Sequence, residues 1–340
     1  MAERTGLQVG IYVHHHGAGH RTRAEVLAAE LERRGHRVTL LGSGLTREGV
    51  VPLDRDDTPP VDAADDAGGM LHWAPLHHKG FQSRMASISA WVAEAQPDVV
   101  VVDVSVEVTL LVRLLGVPVV VVGQPGDRTD EPHQLAYRAA AAVLAPWPDW
   151  LEPAAGLDGL GGRLRRVGGL SRYAGRAGDL AETPTQADGT VRGVMLCGSE
   201  GFDDPDLVDR IREARPGWEW TVLDGSVWVD DIGTVLADAD VVVAHAGQNA
   251  VADLAALEVP AIVVPQQRPH DEQRSTAQAL RRERITDAVL DPAGVDWGQR
   301  LDAALACKGG IGLGWRRWQT AGAVQRAVDV IEEVARGHRP

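Results

Sequence analysis

A turn in the second half of the chain carries several side chains suited to binding a phosphorylated ligand. A run of valines ends at His245, and Gly247, Gln248 and Asn249 follow just before a predicted helix. Amides at the start of a helix attract anions, and the missing side chain at Gly247 lets a phosphate approach the backbone. Asp253, one helical turn further on, could accept hydrogen bonds from the hydroxyls of a ribose.

A second polar loop follows the next predicted strand, residues 261–264. It ends in Asp271, Glu272 and Gln273, which offer carboxylate and amide groups to a polar moiety such as a sugar ring. Strand, helix and strand form a βαβ unit, and open α/β sheets bind ligands at the carboxyl ends of their strands. The two loops therefore predict a nucleotide-sugar site. The alternative is an ordinary β-turn-α-β segment in which His245 is merely satisfied in its turn.

This pattern resembles the donor-binding half of GT-B glycosyltransferases, both the plant and macrolide types and the bacterial lipid-intermediate GlcNAc transferases of peptidoglycan synthesis. The first group has HCGWNS, an acidic residue three positions on, and a later Asp-Gln pair. Here HAGQNA runs from His245 to Ala250, followed by Asp253 and then Glu272-Gln273. The resemblance implies that His245 and the turn amides hold the diphosphate, Asp253 the ribose, and the last pair the sugar. Three positions differ from the family pattern: Ala250 replaces Ser, Asp253 replaces Glu, and Glu272 replaces Asp. The identities of the nucleobase and of the sugar therefore stay open.

Two further segments are similar to donor-site segments of these families. Residues 197–201 resemble the GGS-x-G turn of the GlcNAc transferases, which implies that Ser199 contacts donor phosphate or sugar. Residues 228–231 correspond by position to the segment that binds the nucleobase through its main chain, here at Val229. Core packing is the alternative for Trp228. The predicted donor-binding residues are Ser199, Val229, His245, Gly247, Gln248, Asn249, Ala250, Asp253, Asp271, Glu272 and Gln273.

The first half opens with a predicted strand over 9–13, the loop HHHGAGH, and a predicted helix over about 22–34. In the resembling enzymes a Gly-His pair here supplies the general base. The resemblance thus implies that His20 deprotonates the acceptor hydroxyl and that Asp103, at the end of a predicted strand, orients it. A neutral imidazole suits a base, and a carboxylate fixes its tautomer. The alternatives are phosphate or water binding for His20 and a helix cap for Asp103.

The histidine-rich loop of the first half has two interpretations. We predict that His16, Gly17 and Gly19 line the acceptor side of the cleft. A metal site is the alternative, and it would draw on His14, His15, His16, His72, His77 and His78. No HExxH motif or cysteine partner accompanies these histidines, and GT-B chemistry needs no bound metal, so we predict no metal ligands. A metal-binding protein built on this loop stays an alternative function.

Valine-rich runs alternate with predicted helices along both halves, which is typical of parallel sheets covered on both faces. The predicted fold class is therefore α/β, and the resemblance specifies GT-B, with two Rossmann-like domains facing across a cleft. We expect an acceptor-binding domain over 1–167, a linker over 168–190 and a donor-binding domain over 191–314. A C-terminal helix within 315–340 is long enough to cross back to the first domain.

Composition excludes several classes of protein. The 340 residues suffice for two domains, and a formal net charge of −14 argues against a nucleic-acid partner. Two cysteines make no disulfide framework, and no signal peptide is recognised, so a cytoplasmic protein is expected. Asp103, Glu107 and Arg113 interrupt the apolar stretch 97–122, which argues against a membrane span. Peripheral membrane contact stays open.

The sequence thus predicts an inverting, metal-independent hexosyltransferase that uses a nucleoside-diphosphate sugar, with UDP favoured and no other cofactor. The hydroxyl acceptor stays unidentified among small molecules, cell-wall glycans and lipid-linked glycans. The acceptor-side motifs of the lipid-intermediate GlcNAc transferases are absent, because GQPGDRTDEPHQ follows residue 122. The alternatives are a sugar-nucleotide epimerase of the same fold and a non-catalytic nucleotide-sugar binding protein.

Overall fold

Two large parallel β-sheets organise the chain. The computed structural model describes residues 6–15, 17–58, 65–151, 154–175, 189–198, 201–225, 229, 231–307 and 312–338. The strands in these ranges are β1 (Gln8–Val13), β2 (Arg37–Gly42), β3 (Val50–Pro52), β4 (Val99–Asp103), β5 (Val119–Val122), β6 (Gly126–Asp127), β7 (Ala142–Ala145), β8 (Ala154–Ala155), β9 (Leu164–Arg166), β10 (Arg192–Leu196), β11 (Glu219–Leu223), β12 (Val241–His245), β13 (Ala261–Val264) and β14 (Asp287–Ala288).

The first large sheet has seven strands in the order β3-β2-β1-β4-β5-β7-β9, and the second has five in the order β11-β10-β12-β13-β14. Every pairing in both sheets is parallel. Strands β6 and β8 form a separate small pair. The first sheet ends at Arg166 and the second begins at Arg192. Residues 176–188 of the predicted linker lie outside the described residues.

Helices connect the strands and cover the sheets. They are α1 (Ala18–Arg33), α2 (Lys79–Ala95), α3 (Val106–Leu114), α4 (Glu131–Ala139), α5 (Leu207–Ala214), α6 (Ile232–Ala237), α7 (Gln248–Leu257), α8 (Glu272–Arg282), α9 (Trp297–Ala306), α10 (Gly312–Arg316) and α11 (Ala323–Gly337). Short 3-10 turns span Asp158–Arg163 and Pro269–Asp271. Among the described helices, none combines the length and apolar character that crossing a membrane requires.

Burial on both sheet faces explains why the strand sequences are valine runs instead of alternating patterns. All five residues of β4, VVVVD, are buried, as are all four residues of β5 and of β13. A central strand with helices on both faces has no solvent side, so each position packs against apolar neighbours. The single charge in these three strands is Asp103, the last residue of β4, at the carboxyl edge of the sheet.

The structure differs from the sequence prediction at three elements. Helix α1 starts at Ala18 instead of about residue 22, which places His20 inside its first turn. Residues 42–69 are rich in Asp, Pro and Gly, from which the sequence predicts a long loop, but strand β3 within them extends the first sheet. The predicted C-terminal helix is two helices, because Gln319 and Gly322 have left-handed backbones with φ 56° and 71°. After this break α11 packs against α1, β4 and β7 of the first half.

Candidate functional site

Strand order brings the functional loops together in pairs. In the first sheet β1 lies next to β4, so the loop after β1 and the end of β4 meet at one rim. In the second sheet β10 lies next to β12, so the 197–201 turn and the His245 turn are neighbours. Each pair marks the point where strand order reverses, and such points are where open α/β sheets bind ligands.

His20 and Asp103 are in contact at the rim of the first sheet. The Nδ1 atom of His20 lies 3.1 Å from Oδ2 of Asp103. The Asp103 carboxylate is only 2% exposed, whereas 16% of the His20 side chain is exposed. The buried partner therefore holds one edge of the imidazole while the ring itself remains accessible from the cleft.

Arg23 completes this cluster, and the sequence analysis did not identify it. Its Nε donates to Asp103 Oδ2 at 3.1 Å and its Nη2 to Oδ1 at 3.0 Å, a bidentate pair between two buried side chains. Burial by itself would raise the pKa of Asp103, but attraction to Arg23 and His20 outweighs it and holds that pKa well below its usual range. Asp103 is therefore a carboxylate at every pH near neutrality.

Direct hydrogen bonds join this rim to the turn after β12. Arg23 Nη1 donates to Oε1 of Gln248 at 3.1 Å, and Nδ2 of Asn249 donates to the carbonyl of Gly19 at 2.6 Å. The Nε2 atom of Gln248 is buried and has no hydrogen-bond partner among the described residues. The starts of α1 and α7 thus face each other across the cleft.

The turn after β12 has a defined internal geometry. The amide of Gly247 donates to Nδ1 of His245 at 3.0 Å, so the ring proton belongs on Nε2. That Nε2 lies 3.4 Å from the position a Cβ would take on Gly198, in the neighbouring turn. Burial, with a smaller contribution from Arg268, lowers the pKa of His245 to about 4. His245 is therefore neutral at pH 7 and has one N–H to donate.

Gln273 supports the turn instead of projecting freely from it. Its buried Oε1 accepts from the amides of Ala246 and Gln266, each at 3.0 Å. A Cβ on Gly247 would lie 3.8 Å from its Nε2, so the amide end reaches the same turn. One side-chain oxygen thereby ties the loop after β13 to the loop after β12, and only Nε2 is left to meet a ligand.

The Asp253 carboxylate is held by the segment that leaves the first sheet. Ser171 Oγ donates to Oδ1 at 2.6 Å, and Arg172 Nε lies 3.5 Å from Oδ2. Burial raises the pKa of Asp253 to about 6, while Ser171 and Arg172 oppose that rise. In this arrangement Asp253 links α7 to the 168–175 segment, and its contact with a ribose stays a prediction.

The two acidic residues of the loop before α8, Glu272 and Asp271, have different surroundings. Glu272 is half-buried and lies 3.5 Å from Nη2 of Arg128 in the first half. Burial raises the pKa of Glu272 above its usual value, against the opposing attraction of Arg128 and His20. Glu272 is thus close to the candidate base. Asp271 is exposed and has a left-handed backbone with φ 55° as the N-cap of α8.

The remaining predicted residues divide by what the structure describes. Val229 is half-buried and Ala250 is buried in the first turn of α7, whereas Gly17 is exposed as the N-cap of α1 with φ 88°. His16 and Ser199 lie outside the described residues, as does Trp228. Their predicted roles stay predictions.

A cavity of about 250 Å³ opens beside the histidine-rich loop. Aromatic rings of Tyr12, Trp73 and Phe81 line it together with His14 and His15. The rings of His14 and His20 are 5.6 Å apart, so the cavity is adjacent to the candidate base.

Known proteins share this architecture and part of this sequence. Residues 194–292 match the family model described as glycosyltransferase family 28 C-terminal domain. The UDP-N-acetylglucosamine–N-acetylmuramyl-(pentapeptide) pyrophosphoryl-undecaprenol N-acetylglucosamine transferase of Halorhodospira halophila (strain DSM 244 / SL1) is 29% identical over 277 residues, 73% of this chain and 74% of that protein. The solved kitacinnamycin glycosyltransferase has a TM-score of 0.69 at 19% identity, covering 97% of this chain and 99% of its own. The calicheamicin glycosyltransferase has a TM-score of 0.67 at 19% identity, covering 99% and 100%.

The chain is a glycosyltransferase with the GT-B fold. The predicted fold class and the predicted enzyme class are therefore confirmed. The family match falls on the second sheet and its loops, the half in which the sequence resemblance was densest. In this glycosyltransferase the residues missed by sequence reasoning are Arg23, Arg128, Ser171, Arg172 and Gln266. None was part of a quoted motif, and all except Gln266, whose amide donates to Gln273 seven positions on, act through partners distant in sequence.

The Arg23–Asp103 pair yields a prediction about stability. Arg23→Gln should destabilise the fold by about 3–5 kcal/mol, because it leaves a buried carboxylate without its cation. Arg21→Gln is the matched control on the same helix, since Arg21 makes an exposed i,i+4 pair with Glu25 worth about 0.3–0.5 kcal/mol. Urea unfolding of both variants measures the difference. Equal midpoints for the two variants would contradict the assignment.

Asp253 yields a prediction about pH. Its pKa of about 6 in the folded chain exceeds the ordinary value near 3.9, so the folded state holds the proton more tightly. The stability contribution of Asp253 is therefore present below about pH 4 and lost as pH rises to about 6. The free energy of unfolding of Asp253→Asn, measured relative to that of the wild type, should therefore rise by roughly 2–3 kcal/mol between pH 4 and pH 7. Urea unfolding at both pH values measures it, and exposed Asp209→Asn should show no such gain.

Proposed function

We propose that this glycosyltransferase is an inverting enzyme that moves a sugar from a UDP-sugar to an acceptor hydroxyl, with His20 as the general base. The observation that carries the proposal is the bonding of the α1 start to the α7 start. Arg23 contacts both Asp103 and Gln248, and Gly19 accepts from Asn249. These bonds support the proposal because they hold the proposed base close to the turn that is proposed to bind phosphate.

The proposed transfer uses His20 at its cleft edge. Nδ1 of His20 lies 3.1 Å from Asp103 and 3.3 Å from Nη2 of Arg23, which can only donate. We assign the Nδ1 proton to the shorter contact, with Asp103, which leaves Nε2 to take the proton of the acceptor hydroxyl. The hydroxyl oxygen forms a bond to the anomeric carbon as the bond from that carbon to the diphosphate oxygen breaks. The electron pair leaves with the nucleoside diphosphate, and Asp103 stabilises the imidazolium. This proton transfer requires no metal.

The turn after β12 is proposed to hold the departing diphosphate. The N-terminus of α7 attracts anions, and neutral His245 offers its Nε2–H to a phosphate oxygen. The buried Nε2 of Gln248 lacks a partner in the described residues, and a ligand oxygen would supply one. Glu272, near Arg128 and His20, is proposed to contact the transferred sugar.

The identity of the donor nucleotide and the route of the acceptor are also parts of this proposal. A UDP-sugar donor is stated in the name of the Halorhodospira relative, which shares 29% identity with this chain. We propose that the acceptor hydroxyl reaches His20 through the cavity lined by Tyr12, Trp73 and Phe81. The proposed site of action is the cytoplasm, with peripheral membrane contact where the acceptor is lipid-linked.

His20→Ala should lower kcat by about two to four orders of magnitude, the usual contribution of a positioned base, and leave the Kd for UDP within a factor of about two. Asp103→Asn should likewise lower kcat, because it favours the wrong tautomer. Single-turnover rates at saturating donor, with calorimetry for UDP, measure both effects.

The contrary result would be that His20→Ala loses UDP binding while its transfer rate at saturating donor is unchanged. His20 would then be a phosphate ligand and not the base.

Wild-type enzyme should also leave the UDP-sugar unaltered when no acceptor is present, as followed by NMR of the anomeric proton. A new sugar stereoisomer under those conditions would indicate an epimerase instead.

His245→Asn tests the phosphate contact separately. The Asn oxygen can still accept from the Gly247 amide, but the Nε2–H donor is gone. A hydrogen bond to a charged group contributes about 1.5–3 kcal/mol, so the affinity for UDP should fall about 10- to 100-fold. Calorimetry with uridine, which has no phosphate, is the control and should show little change. An equal loss of affinity for UDP and for uridine would instead mean that His245 stabilises the turn and does not contact the phosphate.

A further inference from the structure

Three histidines and one aspartate converge on a point away from the His20 cluster. His72 belongs to the loop before α2, Asp130 and His133 to the start of α4, and His270 to the loop before α8. Oδ1 of Asp130 lies 3.0 Å from Nε2 of His72. Its Oδ2 lies 2.6 Å from Nδ1 of His133 and 3.7 Å from Nδ1 of His270. The transfer reaction proposed above uses none of these four side chains.

We propose that this cluster binds a divalent transition-metal ion, with Zn²⁺ the best fit and with His72, Asp130 and His270 as its ligands. One ligating atom from each of the four side chains lies within 4.8 Å of the others. Imidazole nitrogens with a carboxylate suit zinc, whereas magnesium and calcium prefer oxygen ligands.

The spacing of the ligating atoms is close to what zinc requires. Zinc bonds of about 2.0–2.1 Å set the edges of a tetrahedron at about 3.3 Å. The Asp130 oxygens already lie 3.0 Å from one histidine ligand and 3.7 Å from the other. These two contacts use different oxygens of Asp130, so closing the site requires the carboxylate to rotate until one oxygen or both face the ion.

His133 has a different role in this site. Its Nε2 lies 3.3 Å from Nη1 of Arg128, which can only donate, so the ring proton belongs on Nδ1. That Nδ1 lies 2.6 Å from Asp130 and donates to it. His133 thus orients a ligating carboxylate, as partners outside the ligand set commonly do. Three protein ligands leave a fourth position for water.

The location of the site gives the ion a consequence for the cleft. His72, Asp130 and His270 are each about one-third exposed, with side-chain values of 35%, 33% and 30%, so an ion can enter from solvent. Two ligands belong to the first half, and His270 lies two residues before Glu272 in the proposed sugar-binding loop. A bound ion would therefore hold that loop against the first half of the chain.

The test is metal binding by tag-free, chelator-stripped protein. Calorimetry with ZnCl₂ should show one high-affinity site per chain, and Co²⁺ should give the visible absorption of a tetrahedral complex. His270→Asn and His72→Gln should each abolish that site. His133→Gln should retain it with an affinity about 10- to 100-fold lower. Asn is chosen at 270 because the backbone there is left-handed, with φ 62°, which Asn tolerates.

His77→Asn is the matched control, since His77 is an exposed histidine with a similar backbone, φ 59°. It should bind zinc as the wild type does. Zinc should also raise the melting temperature of wild type and His77→Asn but not of His270→Asn. His72→Gln provides an independent result should His270→Asn not fold.

The proposal is overturned if wild type shows no such site. It is overturned equally if zinc binding survives in His270→Asn and His72→Gln. His15, Asp56 and Asp57 form a second group with metal-ligand spacing, and loss of the site in His15→Asn alone would assign the ion there instead. None of these outcomes depends on whether the chain transfers a sugar, so this proposal and the proposed function succeed or fail separately.

Discussion

The arrangement of His20 at the carboxyl edge of the first sheet depends on one interaction, the buried ion pair between Arg23 and Asp103. Removing two charges from water is costly, and the cost is offset only where geometry and additional hydrogen bonds are good. Here the pair is bidentate, and the remaining guanidinium nitrogen is occupied by Gln248 from the other half. His20 and Arg23 lie on one face of α1 because they are three residues apart in the helix. The same contacts that neutralise Asp103 therefore aim the imidazole.

Strand order explains why these groups meet at all. β1 lies beside β4 in one sheet, as β10 lies beside β12 in the other, so in each half two loops from distant parts of the sequence share one rim. The starts of α1 and α7 follow β1 and β12 directly, and both face the cleft. Asn249 to Gly19 and Arg23 to Gln248 are the bonds that result. The two halves thus present equivalent helix starts, one bearing the proposed base and the other the turn proposed to bind phosphate.

The fold class and the enzyme class could be predicted from the sequence because their signals are local. Valine runs bounded by turns report burial on both faces, and the HAGQNA turn reports a helix start that is suited to phosphate. What could not be predicted depends on partners distant in sequence. Arg23 meets Asp103 across 80 positions and Gln248 across 225. Asp253 meets Ser171 across 82 positions. The break in the C-terminal helix was missed for a different reason, because Gln319 is a residue for which a left-handed backbone is uncommon.

The charge distribution of the cleft accounts for an apparent mismatch between an acidic chain and the anionic donor proposed for it. The formal net charge is −14, yet no side chain within the turn itself, residues 245–249, is charged at pH 7. Burial and Arg268 keep His245 neutral, so in the proposed reaction it would donate a hydrogen bond to the diphosphate without adding a charge that retains the leaving group. Arg23 is neutralised by Asp103, and Arg128 is opposed by Glu272. Under the proposed function, attraction for the diphosphate would therefore come mainly from oriented dipoles, the amides at the start of α7 and the His245 N–H. Dipoles fixed by the fold need no reorganisation when negative charge develops on the leaving oxygen, which is the condition for stabilising a transition state more than a ground state.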